Sequence, residues 1–461
     1  MPREVVITGV GAVSGMGVGA ASLWEGVLAG RSSIRPTTRL DTSGFGCRLA
    51  AQVESFSARD FVPKHYRKAV KVMARDIELA VAAAKEAVES AGLTTRGSLG
   101  EDSQGSTTYR SDRMGCQIGA GLIAAETDEL TAALATARGS DGNLDLDRWG
   151  GAGRDAAENE SGAEGGRIGE GGSAGMENLT PLWLLKYLPN MLACHVTIIH
   201  GAEGPSNTIT CAHASGLLSL GESMRVIQRG AADLCFSGGA ESKLNYMGLL
   251  RMELAGRLAE TRDAIDPDAV LRPFAPDSRG SLPGEGGGIL ILEADETARG
   301  RGAAPLARLV GFGGGHSDVW SSAEGPDEGY LTAIEGALED ARTAPAEIDM
   351  IVPLGCGVPK IDRTEAVSLE RVFGTRLASI PVLSIVPAVG DCMAGMSGLQ
   401  SVVGVRCVQH QVVPAGALVG VSAGAAGRAI GSPRPTAIRN LLVCTPALGG
   451  QNAAIVLRRS A

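Results

Sequence analysis

Positive charge is in short supply: 42 Lys and Arg stand against 51 Asp and Glu over 461 residues, a net of −9. A nucleic-acid binder needs a basic footprint, so no nucleic-acid partner is expected. Long apolar runs are missing too. No uninterrupted apolar stretch reaches 18 residues, which argues against a membrane span. Met1-Pro-Arg-Glu runs directly into the apolar Val5-Val6-Ile7, without the apolar core and cleavage site of a secretory signal. The nine cysteines are odd in number and contain no C-x-x-C pair. Neither a zinc ribbon nor a disulfide framework is suggested, and a reducing cytoplasmic setting is expected. Histidine is scarce, at six residues, and charged residues make up only 20% of the chain.

Apolar residues and glycine are abundant instead. At 44% hydrophobic, the chain can build a large core, and disorder of the chain as a whole is excluded. The length allows two to four domains of about 100–200 residues, or one large α/β unit. Glycine reaches 65 residues, about 14% of the chain, against about 7% in an average protein. There is no Gly-X-Y period, so collagen is excluded.

Short apolar runs ending in glycine alternate with Ala-rich helical stretches, the pattern of an α/β architecture. Val5–Val13 reads as a buried strand. Residues 72–91 read as a helix: Met73, Ile77, Ala80, Ala84 and Val88 recur at three- and four-residue steps, and Gly92 is placed to stop it. Leu331, Ile334, Leu338 and Ala341 repeat that spacing before the strand-like Met350-Ile351-Val352. Residues 139–175 break the pattern, with 12 glycines, eight acids and three basic residues. They read as a flexible acidic surface insertion. Ser215-Gly-Leu-Leu-Ser219 opens one helical stretch and Ser397-Gly-Leu-Gln-Ser401 opens another, each after a Gly- and Ala-rich turn. This echo suggests an internally duplicated fold.

The segment with the strongest site character is Gly204–Gly216. A strand (207–211) turns sharply through small residues into a helix (214–229) carrying Leu217, Leu220, Met224 and Ile227. A side chain at such an elbow stands at a helix N-terminus, where unpaired N–H groups and the dipole favour an anion or a thiolate.

Here the chain resembles the elongating β-ketoacyl-acyl-carrier-protein synthases of the thiolase-like superfamily. The resemblance rests on Val-Val-Ile-Thr-Gly-Val-Gly-Ala-Val (5–13), Leu-Trp-Glu-Gly-Val-Leu-Ala-Gly-Arg-Ser (23–32) and Gly204-Pro-Ser. It continues through Ala-Asp-Leu-Cys-Phe-Ser-Gly-Gly-Ala-Glu (232–241), Arg-Pro-Phe-Ala-Pro-Asp-Ser-Arg-Gly (272–280) and Gly-Glu-Gly-Gly-Gly (284–288). Asp-Arg-Thr-Glu (362–365) and Gly-Gly-Gln-Asn (449–452) complete it, so the motifs run nearly end to end. The resemblance implies a five-layered αβαβα fold of two similar halves, 1–285 and 286–461, and a dimer through a central strand. It also implies decarboxylative condensation on acyl carrier protein. In that chemistry a Cys thiolate carries the acyl chain, two His stabilise the enolate, and two backbone N–H groups form an oxyanion hole.

The catalytic residues do not carry over. The nucleophile position falls on His213, with Cys211 two residues earlier; the first catalytic His falls on Leu354 and the second on Asp391. The two Thr that hold the pantetheine arm fall on Cys356 and Val358, the Lys on Val386, and the Phe that gates the acyl pocket on Leu448. Only Glu365 and the glycine scaffold match. Cys211 reads as a small buried residue. His213, at a helix N-terminus that disfavours an imidazolium, needs a hydrogen-bond partner, and Asp391 is expected to be it. The oxyanion hole, if kept, would use the N–H groups of His213 and Leu448. A metal reading would gather His213, Asp391, Cys392 and Cys356, but adjacent residues 391 and 392 seldom point the same way. No metal or cofactor is therefore expected.

Two functions follow. One is a protein that does not condense but partners an active ketosynthase, as chain-length factors do in polyketide systems. It would be a heterodimer or a homodimer, with acyl carrier protein as a weakened partner. The other is an acyl-thioester hydrolase or decarboxylase using His213 with Asp391, or a condensing enzyme working through a shifted Cys211.

Overall fold

The computed structural model describes residues 2–99, 105–150, 175–262, 266–318 and 325–460. Nine strands form its main hydrogen-bonded path: β1 (Val5–Ser14), β2 (Met114–Gly119), β3 (Ser206–Ile209), β4 (Leu234–Ser242), β5 (Glu285–Ala294), β6 (Ala307–His316), β7 (Met350–Val352), β8 (Asn440–Pro446) and β9 (Gln451–Arg458). The helices that matter for the site are α1 (Arg75–Ser90), α2 (Met191–His200), α3 (Ser215–Gln228), α4 (Tyr246–Leu254), α5 (Glu328–Asp340), α6 (Pro359–Phe373) and α7 (Met396–His410).

The strand order is β3-β2-β4-β5-β1-β6-β9-β8-β7. Read outward from the β1–β6 join, both sides obey one rule. β1 pairs antiparallel with β5, β5 antiparallel with β4, and β4 and β2 run parallel to their outer neighbours. On the other side β6 pairs antiparallel with β9, β9 antiparallel with β8, and β8 parallel with β7. The Ile351–Val382 bridge adds a further parallel contact, where the first side has β3. The duplication suggested by the serine–glycine echo is thus present in the sheet. By its pairing, β5 groups with the first side, although residues 286–294 were assigned to the second half; the chain crosses over through Asp295–Leu306.

Side-chain size explains how helices dock on this frame. A Cβ on Gly9 or Gly11 of β1 would lie 2.3 Å from the Ala87 carbonyl oxygen and 2.1 Å from that of Ala83, on α1. A Cβ on Gly311 or Gly313 of β6 would lie 2.2 Å from the Ala337 oxygen and 2.1 Å from that of Ala333, on α5. The same G-x-G strand meets the same Ala-x-x-x-Ala helix ridge twice, and only hydrogen side chains admit so close a fit. Three cores result. α1 and α2 cover the outer face of the first side, α5 and α6 that of the second, and α3 and α7 lie between the two.

The expected elements shift only at their ends. Strand Val5–Val13 extends to Ser14, helix 72–91 becomes Arg75–Ser90 after a run of 3-10 turns (Lys64–Val72), and helix 214–229 becomes Ser215–Gln228. Strand 207–211 becomes Ser206–Ile209. Of the acidic insertion, residues 139–150 form a turn closed by an Arg138–Leu144 bridge and a short helix (Leu146–Gly150). Residues 151–174 lie outside the described residues.

Candidate functional site

Two elbows build the site. After β3 the chain turns at Ala212, whose φ of 46° is left-handed, and passes through a 3-10 turn (Ala212–Ala214) into α3. In the second half it turns at Met393, also with φ 46°, and passes through Met393–Gly395 into α7. Left-handed alanine and methionine are strained, and they persist because the packed elements on either side dictate the turn. The two helix starts touch. Ser397 Oγ accepts hydrogen bonds from the N–H groups of Gly216 (3.0 Å) and Leu217 (3.2 Å), so a residue of one half satisfies the helix terminus of the other. A Cβ on Gly216 would lie 2.7 Å from that oxygen.

The elbows bring His213 and Asp391 together. His213 Nε2 lies 2.9 Å from Asp391 Oδ1, and both side chains are fully buried. The Arg257 guanidinium is the third member, with Nη2 3.3 Å from His213 Nε2 and 3.3 Å from Asp391 Oδ2. Asp391 Oδ1 also accepts the Met393 N–H at 3.0 Å. The carboxylate only accepts and the guanidinium only donates, which assigns the shorter contact as Nε2–H donating to Asp391. His213 Nδ1 is then left buried without a hydrogen-bond partner. Burial by itself would raise the Asp391 carboxyl; His213 and Arg257 outweigh it and hold the group far below the usual carboxylate range. Sequence reasoning missed Arg257. Its neighbours Leu254-Ala-Gly-Arg-Leu258 carry no motif, and the only available signal was that a buried Asp demands a cation.

Leu354, at the other His position, is buried and presents no polar group. Its N–H and that of Gly355 donate to the Glu365 carboxylate at 3.0 and 2.8 Å, and Tyr330 OH donates at 2.7 Å. Asp362 accepts from Gly357 and Phe274 N–H groups at 2.9 and 2.8 Å. Burial pushes Glu365 up to about 7, Asp362 up to about 6 and the Cys356 thiol well above its usual range. These acids shape the loop that carries Leu354. Among the described residues no three His, Cys, Asp or Glu side chains gather as a metal site.

Cys211, expected to be buried, is half-exposed. Burial still pushes its thiol up, opposing the thiolate that a nucleophile needs. His195 and His200 are core residues of α2, hydrogen-bonded to Tyr66 and Thr95 at 2.8 Å and pushed down to about 4 by burial.

A cavity of about 360 Å3 adjoins the elbows, lined by Ala212, Met393 and Leu448 among others. Arg257 forms part of its wall, whereas His213 does not. Leu448, at the expected oxyanion position, is 48% exposed at this cavity. Glu241 and Lys243 form a second polar pair in the wall. Glu241 accepts the Ala394 N–H at 2.7 Å and is ion-paired with Lys243, whose Nζ donates to the Leu122 carbonyl at 3.0 Å.

Residues 2–298 match the family model of the beta-ketoacyl synthase N-terminal domain, and residues 306–419 match that of the C-terminal domain. The chain belongs to the beta-ketoacyl synthase family. It is 28% identical over 401 residues to 3-oxoacyl-[acyl-carrier-protein] synthase 2 of Staphylococcus aureus, covering 87% of this chain and 84% of the relative. Among solved structures, it superposes on the ishigamide ketosynthase/chain length factor with a TM-score of 0.77, at 26% identity and full coverage of both chains. A type II polyketide ketosynthase solved with its acyl-carrier protein and bound to the hexaketide gives 0.77 at 21% identity, again over both full chains. The fold is therefore the thiolase-like α/β fold, and the chain is a ketosynthase-type protein of fatty-acid or polyketide biosynthesis.

Proposed function

We propose that this member of the family does not condense acyl groups itself and instead pairs, as chain-length factors do, with an active ketosynthase. One observation carries the reading: the side chain at the nucleophile position, His213, is fully buried and its Nε2 is committed to Asp391, with Arg257 alongside. An imidazole so held has no path to a thioester carbonyl in the adjoining cavity. The similarity to a ketosynthase/chain length factor supports the same reading. So does the outer edge of β3, unpaired among the described residues, where Ser206 and Asn207 are exposed and the adjoining α2 carries Ile198, itself 59% exposed. An exposed strand edge with an apolar neighbour suits a second chain of the same fold.

Acyl carrier protein is proposed as a partner on separate grounds. Within a chain of net charge −9, residues 64–71 hold Lys64, Arg67, Lys68 and Lys71, all exposed, and no acid. Such a patch steers an anionic partner.

The test is co-expression with an intact ketosynthase encoded alongside. The expected result is a stable heterodimer; a homodimer that ignores every such ketosynthase overturns the proposal. One feature favours the second reading, hydrolysis or decarboxylation with His213 as base: its Nδ1 is unpartnered. Under that reading His213→Ala abolishes thioester turnover, and unchanged turnover removes it.

A further inference from the structure

We infer that the cavity beside the elbows is specific for an acyl group bearing a carboxylate at its far end, and that Arg251 of α4 reads that carboxylate. This rests on the proposal above that the chain pairs, as chain-length factors do, with an active ketosynthase, whose acyl chain this cavity would receive. Its wall is largely aliphatic, from Leu122, Met252, Ala255, Met393 and Leu448, as a hydrocarbon chain requires. Three cations interrupt that wall: Lys243, Arg251 and Arg257. Two are already neutralised by partners of this chain, Lys243 by Glu241 and Arg257 by Asp391. Arg251 is different. Among the described residues its side chain makes no hydrogen bond, ion pair or ring contact.

The charge balance of the wall therefore leaves one cation over. Glu241, the carboxylate in the lining, is engaged by Lys243 and by the Ala394 N–H, so it does not oppose an incoming anion. Arg251 is exposed, whereas Arg257 is buried against His213 and Asp391 of the elbows. An extended ligand would thus place one end near the elbow and the other near the free guanidinium. A guanidinium binds a carboxylate through two parallel N–H donors, and a hydrocarbon chain alone gives it nothing to bind. The ligand that satisfies both aliphatic wall and free cation is an ω-carboxyacyl thioester.

The experiment compares two N-acetylcysteamine thioesters, octanoyl and 7-carboxyheptanoyl, by calorimetric titration into the full-length protein. The carboxylated probe is expected to bind about tenfold tighter, the scale of one charged hydrogen-bonded contact. Arg251→Met should abolish that preference by weakening the carboxylated probe, and Arg251→Lys should restore part of it. Equal affinities for the two probes, or a preference that survives in Arg251→Met, overturn the role of Arg251 and leave the acyl cavity standing. If neither thioester binds, the acyl reading of the cavity falls, and the inference falls with it.

Discussion

The two elbows turn at the same angle and do different things. Ala212 and Met393 share a φ of 46°, and each leads through a 3-10 turn into a helix that opens with the serine–glycine echo. Their serines are used differently. Ser215 Oγ accepts the Cys211 N–H of its own elbow at 2.8 Å, whereas Ser397 Oγ caps the helix of the opposite half. Their surroundings differ too. The second elbow is buried throughout, from Asp391 to Gly395, while the first hangs from an edge strand whose Ser206 and Asn207 face outward. Duplication supplied one turn twice; the second copy became core, reaching the cavity only through Met393, and the first kept access to the cavity and to the open edge. Asp391 is the link, a core residue of one elbow that ties down the side chain presented by the other.

Breaking that link should have the largest effect. Asp391→Ala leaves the Arg257 guanidinium buried without a counter-charge, and a cost of about 3–5 kcal/mol is expected in urea unfolding. Adding Arg257→Met should recover most of it; a single-variant loss below about 1 kcal/mol would show that the ion pair is not buried. The seating of the second elbow's helix, α7, on the sheet comes next. Gly398→Ala puts a Cβ 2.4 Å from the Gly288 carbonyl oxygen, and overpacking of this kind costs about 1–3 kcal/mol. Gly336→Ala, on the outer helix α5 with its nearest neighbour 3.6 Å away, should be neutral or gain about 0.5–1 kcal/mol.

A pH effect is expected outside both elbows. Burial, with Glu241 nearby, pushes Asp76 up from 3.8 to about 7. The folded state then holds a proton that the unfolded chain has released, so stability falls as pH rises from about 4 to about 7 and levels off above. Asp76→Asn should flatten that slope and be more stable than the parent by about 1 kcal/mol at pH 8; an unchanged slope would assign it to other groups. The smallest effect on folding is expected at the basic patch. Changing Lys64, Arg67, Lys68 and Lys71 to Glu should leave the unfolding midpoint nearly unchanged and weaken acyl-carrier binding by about tenfold or more at low salt.

Much of this was legible in the sequence, for physical reasons. Helices and strands declare themselves through local spacing, so α1, α5 and β7 were placed to within a few residues. The meeting of His213 with Asp391 was legible only through the resemblance, which aligns two elbows distant along the chain. Arg257 was not legible, because its role comes from where α4 leaves it rather than from its neighbours in sequence. The glycine excess was visible as a number, but its cause was not. Gly9, Gly11, Gly311 and Gly313 become meaningful only when their strands are seen against alanine ridges. The half-exposure of Cys211 was missed because it depends on β3 being an edge strand.

The central claim is that His213 is held by Asp391 and Arg257 and takes no acyl group. Intact-protein mass spectrometry tests it after incubation with acyl-carrier thioesters, in the presence of the partner ketosynthase. The expected result is an acylated partner and a chain of unchanged mass. An acyl adduct on His213 or Cys211 would contradict it.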